Sequence, residues 1–240
     1  MSVRLPKARS GAAIAAVTAT AAYWTTMSSY SQLYGAFPYR ARTLERVVAL
    51  TFDDGPNEPH TSRLADILAT EDVRATFFQV GRCIERHPEV TARLAAAGHL
   101  IGNHSYSHQF HRCWNDATMR LEIDRTQTML TEILGTPPVY YRPPWLLRTP
   151  SLFRTLNERG LTPISGEFCH AFEPVQPPAA AIARRALAKA RPGAVLIFHD
   201  GFDGRGGNRA HTVQAVRIVI RELKRRGYRF ATIDELLAAA

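Results

Sequence analysis

From Val47 to Ile233 the chain alternates short apolar runs with longer stretches whose apolar residues recur at helical spacing. The short runs are Val47–Phe52, Ala75–Val80, His99–Asn103, Val139–Arg142, Thr162–Glu167, Ala194–His199 and Arg229–Ile233. Several are β-branched or aromatic and continuously apolar, the pattern of strands buried on both faces. Between them Thr61–Thr70, Pro88–Ala97, Ala117–Leu134, Ser151–Arg159, Ala179–Ala190 and His211–Arg226 carry the helical period. Gly98, Gly135, Gly160 and Gly227 fall where those helices should stop, and Pro88 and Pro150 near helix starts. Strands and helices in such alternation build a parallel sheet covered by helices. Ionisable residues then decide its form. Asp53 and Asp54 end the first run, His104 the third, Arg142 the fourth, Glu167 the fifth and His199-Asp200 the sixth. An open sheet would concentrate such groups at one crevice and draw on fewer strands. A barrel gathers many strand ends around one mouth. The expected fold is an α/β, distorted and partly closed (β/α) barrel of about seven parallel strands.

A chain of 240 residues with 45% hydrophobic content can bury one substantial core. The formal charge of +9 suggests nucleic acid, but its distribution does not. Five basic residues (Arg4, Lys7, Arg9, Arg40, Arg42) precede the first acid, Glu45, which leaves 25 basic against 21 acidic residues and a body near +4. No nucleic-acid recognition motif accompanies it, and the clusters Arg184-Arg185 and Lys224-Arg225-Arg226 sit in helix-like stretches as solvated faces. Cys83, Cys113 and Cys169 form no disulfide framework; one bridge or buried free thiols both remain open. At the N-terminus Arg4, Lys7 and Arg9 precede the small and apolar run Gly11 to Ala22, the layout of an export signal or signal-anchor. Ala19-Thr20-Ala21 would serve as its cleavage site, yet the run is short for a membrane span and rich in Ala and Thr. A locally helical tail is the alternative. Residues 25–42 read as a tether, so residues 1–44 are expected as signal or anchor and 45–240 as the functional body. An exported, envelope or membrane-anchored location follows, with the cytoplasm as the alternative.

Two segments about fifty residues apart carry the chemistry: Thr51-Phe52-Asp53-Asp54-Gly55-Pro56 and His104-Ser105-Tyr106-Ser107-His108. Either alone is ordinary, since Asp-Asp-Gly-Pro is good turn chemistry and two loop histidines are common. Together they offer two imidazoles and two carboxylates. One Asp and two His make a three-ligand set that leaves positions open on a metal, while the second Asp stays free as a base. If the second segment turns helically, its two rings share a face. Tyr140-Tyr141-Arg142-Pro143-Pro144-Trp145 sets an arginine before two prolines and a large aromatic, and Ala194–Gly201 brings His199 to the end of an apolar strand. There burial and charge can tune its pKa. This is the composition of a metal-assisted hydrolase.

Thr51–Pro56, His104–His108, Arg142–Trp145 and Leu196–His199 resemble the first, second, third and fifth motifs of the polysaccharide deacetylase family. The family is also called the NodB-homology domain or carbohydrate esterase family four, and the resemblance runs from about Val47 to Leu237. It implies that Asp54, His104 and His108 bind one divalent ion, usually zinc and sometimes cobalt or another metal. Asp53 would be the general base, His199 the general acid, and Arg142 the residue orienting Asp53. The backbone N–H of Trp145 would help hold the oxyanion. Trp145 and Leu196 would line the pocket for the acetyl methyl, with Tyr141 grouped on the same substrate side. One departure stands out. The family's fourth motif carries an Asp, often with a Trp, that pairs with the acid histidine. Here the region reads Ser165-Gly166-Glu167-Phe168-Cys169-His170, and Glu167 is the candidate substitute.

The resemblance implies removal of N-acetyl groups from N-acetylglucosamine-type glycans, peptidoglycan or chitooligosaccharide. An esterase acting on O-acetylated xylan and an inactive glycan-binding relative are the alternatives. His111 and His170 lie near the expected mouth, and Phe110 and Trp114 either stack on sugar rings or pack their loop. The partner would be an N-acetylated glycan, with no nucleic acid and a monomer favoured.

Overall fold

The computed structural model describes residues 7–238. Among them eight strands form one sheet: β1 (Val47–Asp53), β2 (Thr76–Gln79), β3 (Leu100–Asn103), β4 (Tyr140–Tyr141), β5 (Thr162–Pro163), β6 (Glu167–Phe168), β7 (Val195–His199) and β8 (Arg229–Phe230). Seven follow the order β5-β4-β3-β2-β1-β7-β6, and β8 pairs with the start of β1. Every pairing between them is parallel. The expected partly closed barrel is the observed fold. Its helices are α1 (Lys7–Thr26), α2 (His60–Thr70), α3 (Gly81–Arg86), α4 (Pro88–Ala96), α5 (Asp116–Leu134), α6 (Pro150–Glu158), α7 (Ala179–Lys189), α8 (Ala210–Arg225) and α9 (Ile233–Ala238).

Strand alternation builds two cores. Val48, Leu50 and Phe52 of β1 face the helical layer, where they meet Leu64 and Leu68 of α2, Ile182 of α7 and Val216 and Ile220 of α8. Phe52 stacks on Phe77 at 5.0 Å and on Phe198 at 5.9 Å. Each such side chain, once buried, stabilises the fold by about 1.5–3 kcal/mol. Val47 and Ala49 point the other way and fill the barrel interior with Phe78, Ile164, Val195, Ile233 and Leu236. Thr51 and Asp53 share that inner register and carry it upward to the mouth.

The fifth expected strand is divided. Its start, β5, pairs with β4, and its end, β6, pairs with β7 on the opposite edge of the sheet. The intervening residues 164–166 therefore step across the gap in the barrel. Pro163 has no N–H to extend a ladder, and a Cβ on Gly166 would lie 2.6 Å from Ile197 Cγ1, so only glycine allows this close approach. Residues 28–41, read from sequence as a loose tether, are instead a strap over the same gap. Ser165 N–H donates to Pro38 O (3.0 Å), Val195 N–H to Tyr39 O (3.2 Å) and Ala41 N–H to Gly193 O (2.8 Å). Phe37 is fully buried against Leu146, Ile197 and Phe153. Arg4 of the expected signal lies outside the described residues, and among those described no helix is long and apolar enough to cross a membrane. All three cysteines are free thiols, Cys83 and Cys169 buried and Cys113 half-buried.

Candidate active site

Asp53 ends β1 on the inner face of the barrel, and Asp54 follows with a left-handed φ of 76°. Both carboxylates are buried. Arg142, fully buried after β4, donates from Nη1 to Asp53 Oδ1 (2.7 Å) and to Thr51 Oγ1 (2.7 Å). Its other nitrogens donate to Ile164 O (3.3 Å) and Ser165 O (2.8 Å). One guanidinium thus fixes the Asp53 carboxylate and ties down the segment that crosses the barrel gap. Because its remaining donors are anchored on Thr51, Ile164 and Ser165, the guanidinium presents Nη1 to Asp53 Oδ1 from a fixed position.

His104 and His108 flank Asp54. His104 Nε2 is 3.4 Å and His108 Nε2 3.1 Å from Asp54 Oδ1. The segment that carries them is not the helical turn expected from the four-residue spacing. Ser105 and His108 have left-handed φ values of 63° and 54°, and the rings converge through an irregular turn. That turn is held by Ser105 N–H to Asn103 Oδ1 (2.9 Å) and by Ser107, whose N–H (2.6 Å) and hydroxyl (2.8 Å) both donate to Glu122 Oε2. The first N–H groups of α3 donate to Ser105 O and Tyr106 O, both at 3.0 Å, and dock it from the other side. His104 Nδ1 lies 2.6 Å from Arg142 O, an acceptor, so its proton sits there and Nε2 presents a lone pair to the site. His108 Nδ1 faces Asp203 Oδ1 at 3.1 Å without the alignment of a hydrogen bond.

Ligand atoms of Asp54, His104 and His108 all lie within 4.8 Å of one another. Asp54 Oδ1 is buried and accepts no hydrogen bond. A carboxylate oxygen in that position is costly unless a cation satisfies it. Burial alone would raise the Asp54 pKa, but His108, His104 and His199 hold it well below the usual carboxylate range. The set therefore remains anionic, and an Asp with two imidazoles fits a divalent first-row ion.

His199 ends β7, the strand paired beside β1, in register with Asp53. Its Nδ1 is 2.9 Å from Glu173 Oε2, and its backbone N–H donates to Glu173 Oε1 (3.0 Å), which also accepts from Thr212 Oγ1 (2.8 Å). Burial alone would depress the imidazole, but the Glu173 charge and hydrogen bond, with Asp54 and Asp53 behind them, raise it to about 9. A proton donor thus stands on the strand beside a carboxylate that an arginine keeps in place. They share a cavity of about 320 Å³ with Asp54, His104, His108, Trp145 and Phe168.

The profile described as polysaccharide deacetylase matches residues 40–164. The chain is 32% identical over 197 residues to a peptidoglycan-N-acetylglucosamine deacetylase of Bacillus cereus, covering 80% of this chain and 89% of that protein. It belongs to the polysaccharide deacetylase family. A chitooligosaccharide deacetylase of Azorhizobium caulinodans is 31% identical over 193 residues, 75% of this chain and 90% of that one. The crystal structure of a peptidoglycan N-acetylglucosamine deacetylase bound to a naphthyl N-hydroxybenzamide superposes with a TM-score of 0.78 at 29% identity, over 85% of this chain and 94% of that chain.

Three side chains of this deacetylase lie elsewhere than its sequence suggested. Glu167 does not reach His199: it is buried in an ion pair with Arg191, with Lys189 Nζ at 3.7 Å. The divided strand explains this, because β6 pairs Glu167 with Leu196, three residues below His199. Leu196 packs among the helices rather than in the cavity, since strand alternation gives the face of His199 to Ile197. Tyr141 is buried with Met119, Ile123, Leu152 and Leu156, away from the mouth. Trp145 does line the cavity, its ring 4.3 Å from that of His108, and its N–H has no hydrogen-bond partner among the described residues. Phe110 packs edge-on against Trp145 at 5.1 Å, and Trp114 packs behind it. His170 lines the cavity; His111 is exposed outside it.

Sequence reasoning missed four contributors. Glu173 sits in the 3₁₀ turn Glu173–Val175, where a lone Glu-Pro pair gave no signal. Asp203 follows the strand-end pair His199-Asp200, a cluster that could have drawn attention to it. Leu146 and Tyr23 line the cavity, the latter from α1, within the residues 1–44 expected as signal or anchor.

Proposed function

We propose that the chain hydrolyses the acetamide of N-acetylglucosamine-type glycans, releasing acetate and a free amine. The observation that carries this reading is the presence in one cavity of two proton-transfer groups, Asp53 held by Arg142 and His199 held by Glu173, with the Asp54–His104–His108 cluster. An amide needs both. Water adding to the carbonyl carbon gives up a proton, for which Asp53 is the acceptor. The amine nitrogen is a poor leaving group until protonated, and His199, raised to about 9, holds a proton at neutral pH for that purpose. The Trp145 N–H is free to receive the negative charge that develops on the carbonyl oxygen, a contribution worth about 3–4 kcal/mol where such donors have been removed. Asp54, His104 and His108 would hold a divalent ion, zinc in our reading. When bound, such an ion supplies Lewis-acid polarisation of the carbonyl and eases deprotonation of water.

The relatives named as peptidoglycan and chitooligosaccharide deacetylases support the N-acetyl substrate and a cell-envelope location. The test is acetate release by the full chain, stripped of metal and reloaded with zinc or cobalt. Chitooligosaccharides, peptidoglycan fragments and an O-acetylated xylan are the substrates, and Asp53→Asn is the control. Metal-dependent release from an N-acetyl substrate is expected. Release from xylan alone would replace the amidase reading by an esterase, and silence on all three with metal bound would remove the catalytic one.

A further inference from the structure

A second concavity, of about 740 Å³, opens beside the catalytic mouth. Arg185 and Lys189 of α7 and Arg191 just beyond it line this groove with Tyr30, Phe168 and Phe172. Phe168, His170 and Ala171 line both spaces, so groove and catalytic cavity form one continuous surface. Phe168 marks the threshold: its ring lies parallel to that of His199 at 6.2 Å between centroids.

The charge of the groove is not internally balanced. Its one acid, Glu167, is buried, and it accepts from Arg191 and from Tyr30 Oη (3.4 Å) with Lys189 nearby. Arg191 therefore answers Glu167. Arg185 is exposed and has no hydrogen bond or ion pair among the described residues, whereas the exposed Lys189 donates from Nζ to Tyr30 Oη (3.3 Å) and shares Glu167 with Arg191 at 3.7 Å. Three cations against one acid leave the lining with a surplus of about two positive charges, beside Phe172, which is 68% exposed. Flat apolar rings next to surplus positive charge suit a ligand that combines sugar faces with anionic groups.

We propose that this groove is an accessory subsite for an acidic glycan. It would take a carboxylate-bearing unit adjacent to the sugar whose acetamide occupies the catalytic cavity. The inference rests on the deacetylase reading above and adds the substrate class: carboxylated glycans are preferred over neutral N-acetylglucosamine homopolymers. Phe168 and Phe172 offer stacking faces, while Arg185 and Lys189 attract the carboxylate.

The experiment compares kcat/KM of the zinc-loaded full chain on three probes at low salt. These are a neutral chitooligosaccharide, a peptidoglycan glycan fragment with free carboxylates, and that fragment with its carboxylates converted to methylamides. The preference for the acidic over the amidated fragment is the readout, in the parent, in Arg185→Gln/Lys189→Gln and in the charge reversal Arg185→Glu. Arg191 is left in place, because its loss would strand the buried Glu167 charge. Two exposed charges on one carboxylate predict that the double substitution lowers the preference about fivefold. Raising the salt to about 0.5 M should erode it similarly, since the Debye length then falls well below 10 Å. Equal rates on acidic and amidated fragments, or a preference that survives both variants, would overturn the subsite while leaving the deacetylase reading intact. Inactivity of the parent on every probe, the neutral one included, would instead overturn the deacetylase reading and the subsite with it.

Discussion

Replacing Glu173 by Gln removes the charge that faces His199; the one amide oxygen can still accept from the His199 backbone N–H and from Thr212, while the NH2 that takes the place of Oε2 cannot accept from Nδ1. In the parent the imidazole stands at about 9 against an ordinary 6.5: burial opposes protonation, and Glu173, then Asp54 and Asp53, outweigh it. That displacement corresponds to ~3 kcal/mol of preference for the imidazolium. Glu173 is the leading favourable contributor, so its neutralisation should lower the His199 pKa by at least about one unit. The sign for activity follows from the role. The acid works only when protonated, so activity falls as pH rises through the His199 pKa, and a lower pKa moves that fall to lower pH. The basic limb of kcat/KM against pH should shift down by about one unit or more, with turnover at pH 8 reduced about twofold for a one-unit shift and about tenfold for two units. The sign for stability agrees. A histidine raised on folding adds stability that is fully present below the unfolded value of 6.5 and is lost as pH rises through about 9. Urea denaturation of the metal-free chain should show that loss in the parent and a flatter profile in the variant. Glu167→Gln serves as the contrast and should leave the limb where it is. A basic limb that does not move in Glu173→Gln would refute the coupling and the assignment of His199 as proton donor.

Asp53→Asn should lower acetate release by at least about 100-fold with metal binding preserved, measured by parallel turnover and metal titration; parent-like turnover would exclude Asp53 as the base. Metal titrated into the stripped chain should raise Tm in the parent and much less in His104→Ala, because Asp54 Oδ1 is a buried acceptor without a donor; equal gains would place the ion elsewhere. Arg142→Met leaves Asp53 buried and unpaired and frees Ile164 O and Ser165 O, so we expect a loss of about 3–5 kcal/mol in urea denaturation. Phe37→Ala should cost about 3–5 kcal/mol by the same assay, since this side chain is fully buried under the strap. A cost below about 1 kcal/mol would restore the tether reading of residues 28–41.

Much of the fold is written locally. The apolar runs and helical periods from Val47 onward locate the ends of β1, β7, α2, α4, α5, α6, α7 and α8 to within a residue. Their alternation requires a parallel sheet because buried parallel strands need apolar residues on both faces. The candidate metal ligands and the two proton-transfer residues are legible for a related reason: each stands at the end of such a run, where a barrel collects its chemistry. What the sequence could not decide depends on contacts between distant segments. Glu167 ends the expected strand Thr162–Glu167 and Glu173 follows it by six residues, and composition does not rank them. Only the division of that strand, with β6 placed low against β7, turns Glu167 toward Arg191 and leaves Glu173 to meet His199. Leu196 and Ile197 are equally apolar, and the register of β7 alone assigns one to the helices and the other to the inner face. Residues 28–41 lack periodicity, so nothing local announces the strap; its backbone bonds to Ser165, Gly193 and Val195 exist only because the barrel is left open there. Periodicity is a property of neighbours along the chain, whereas pairing across a gap is a property of the assembled sheet.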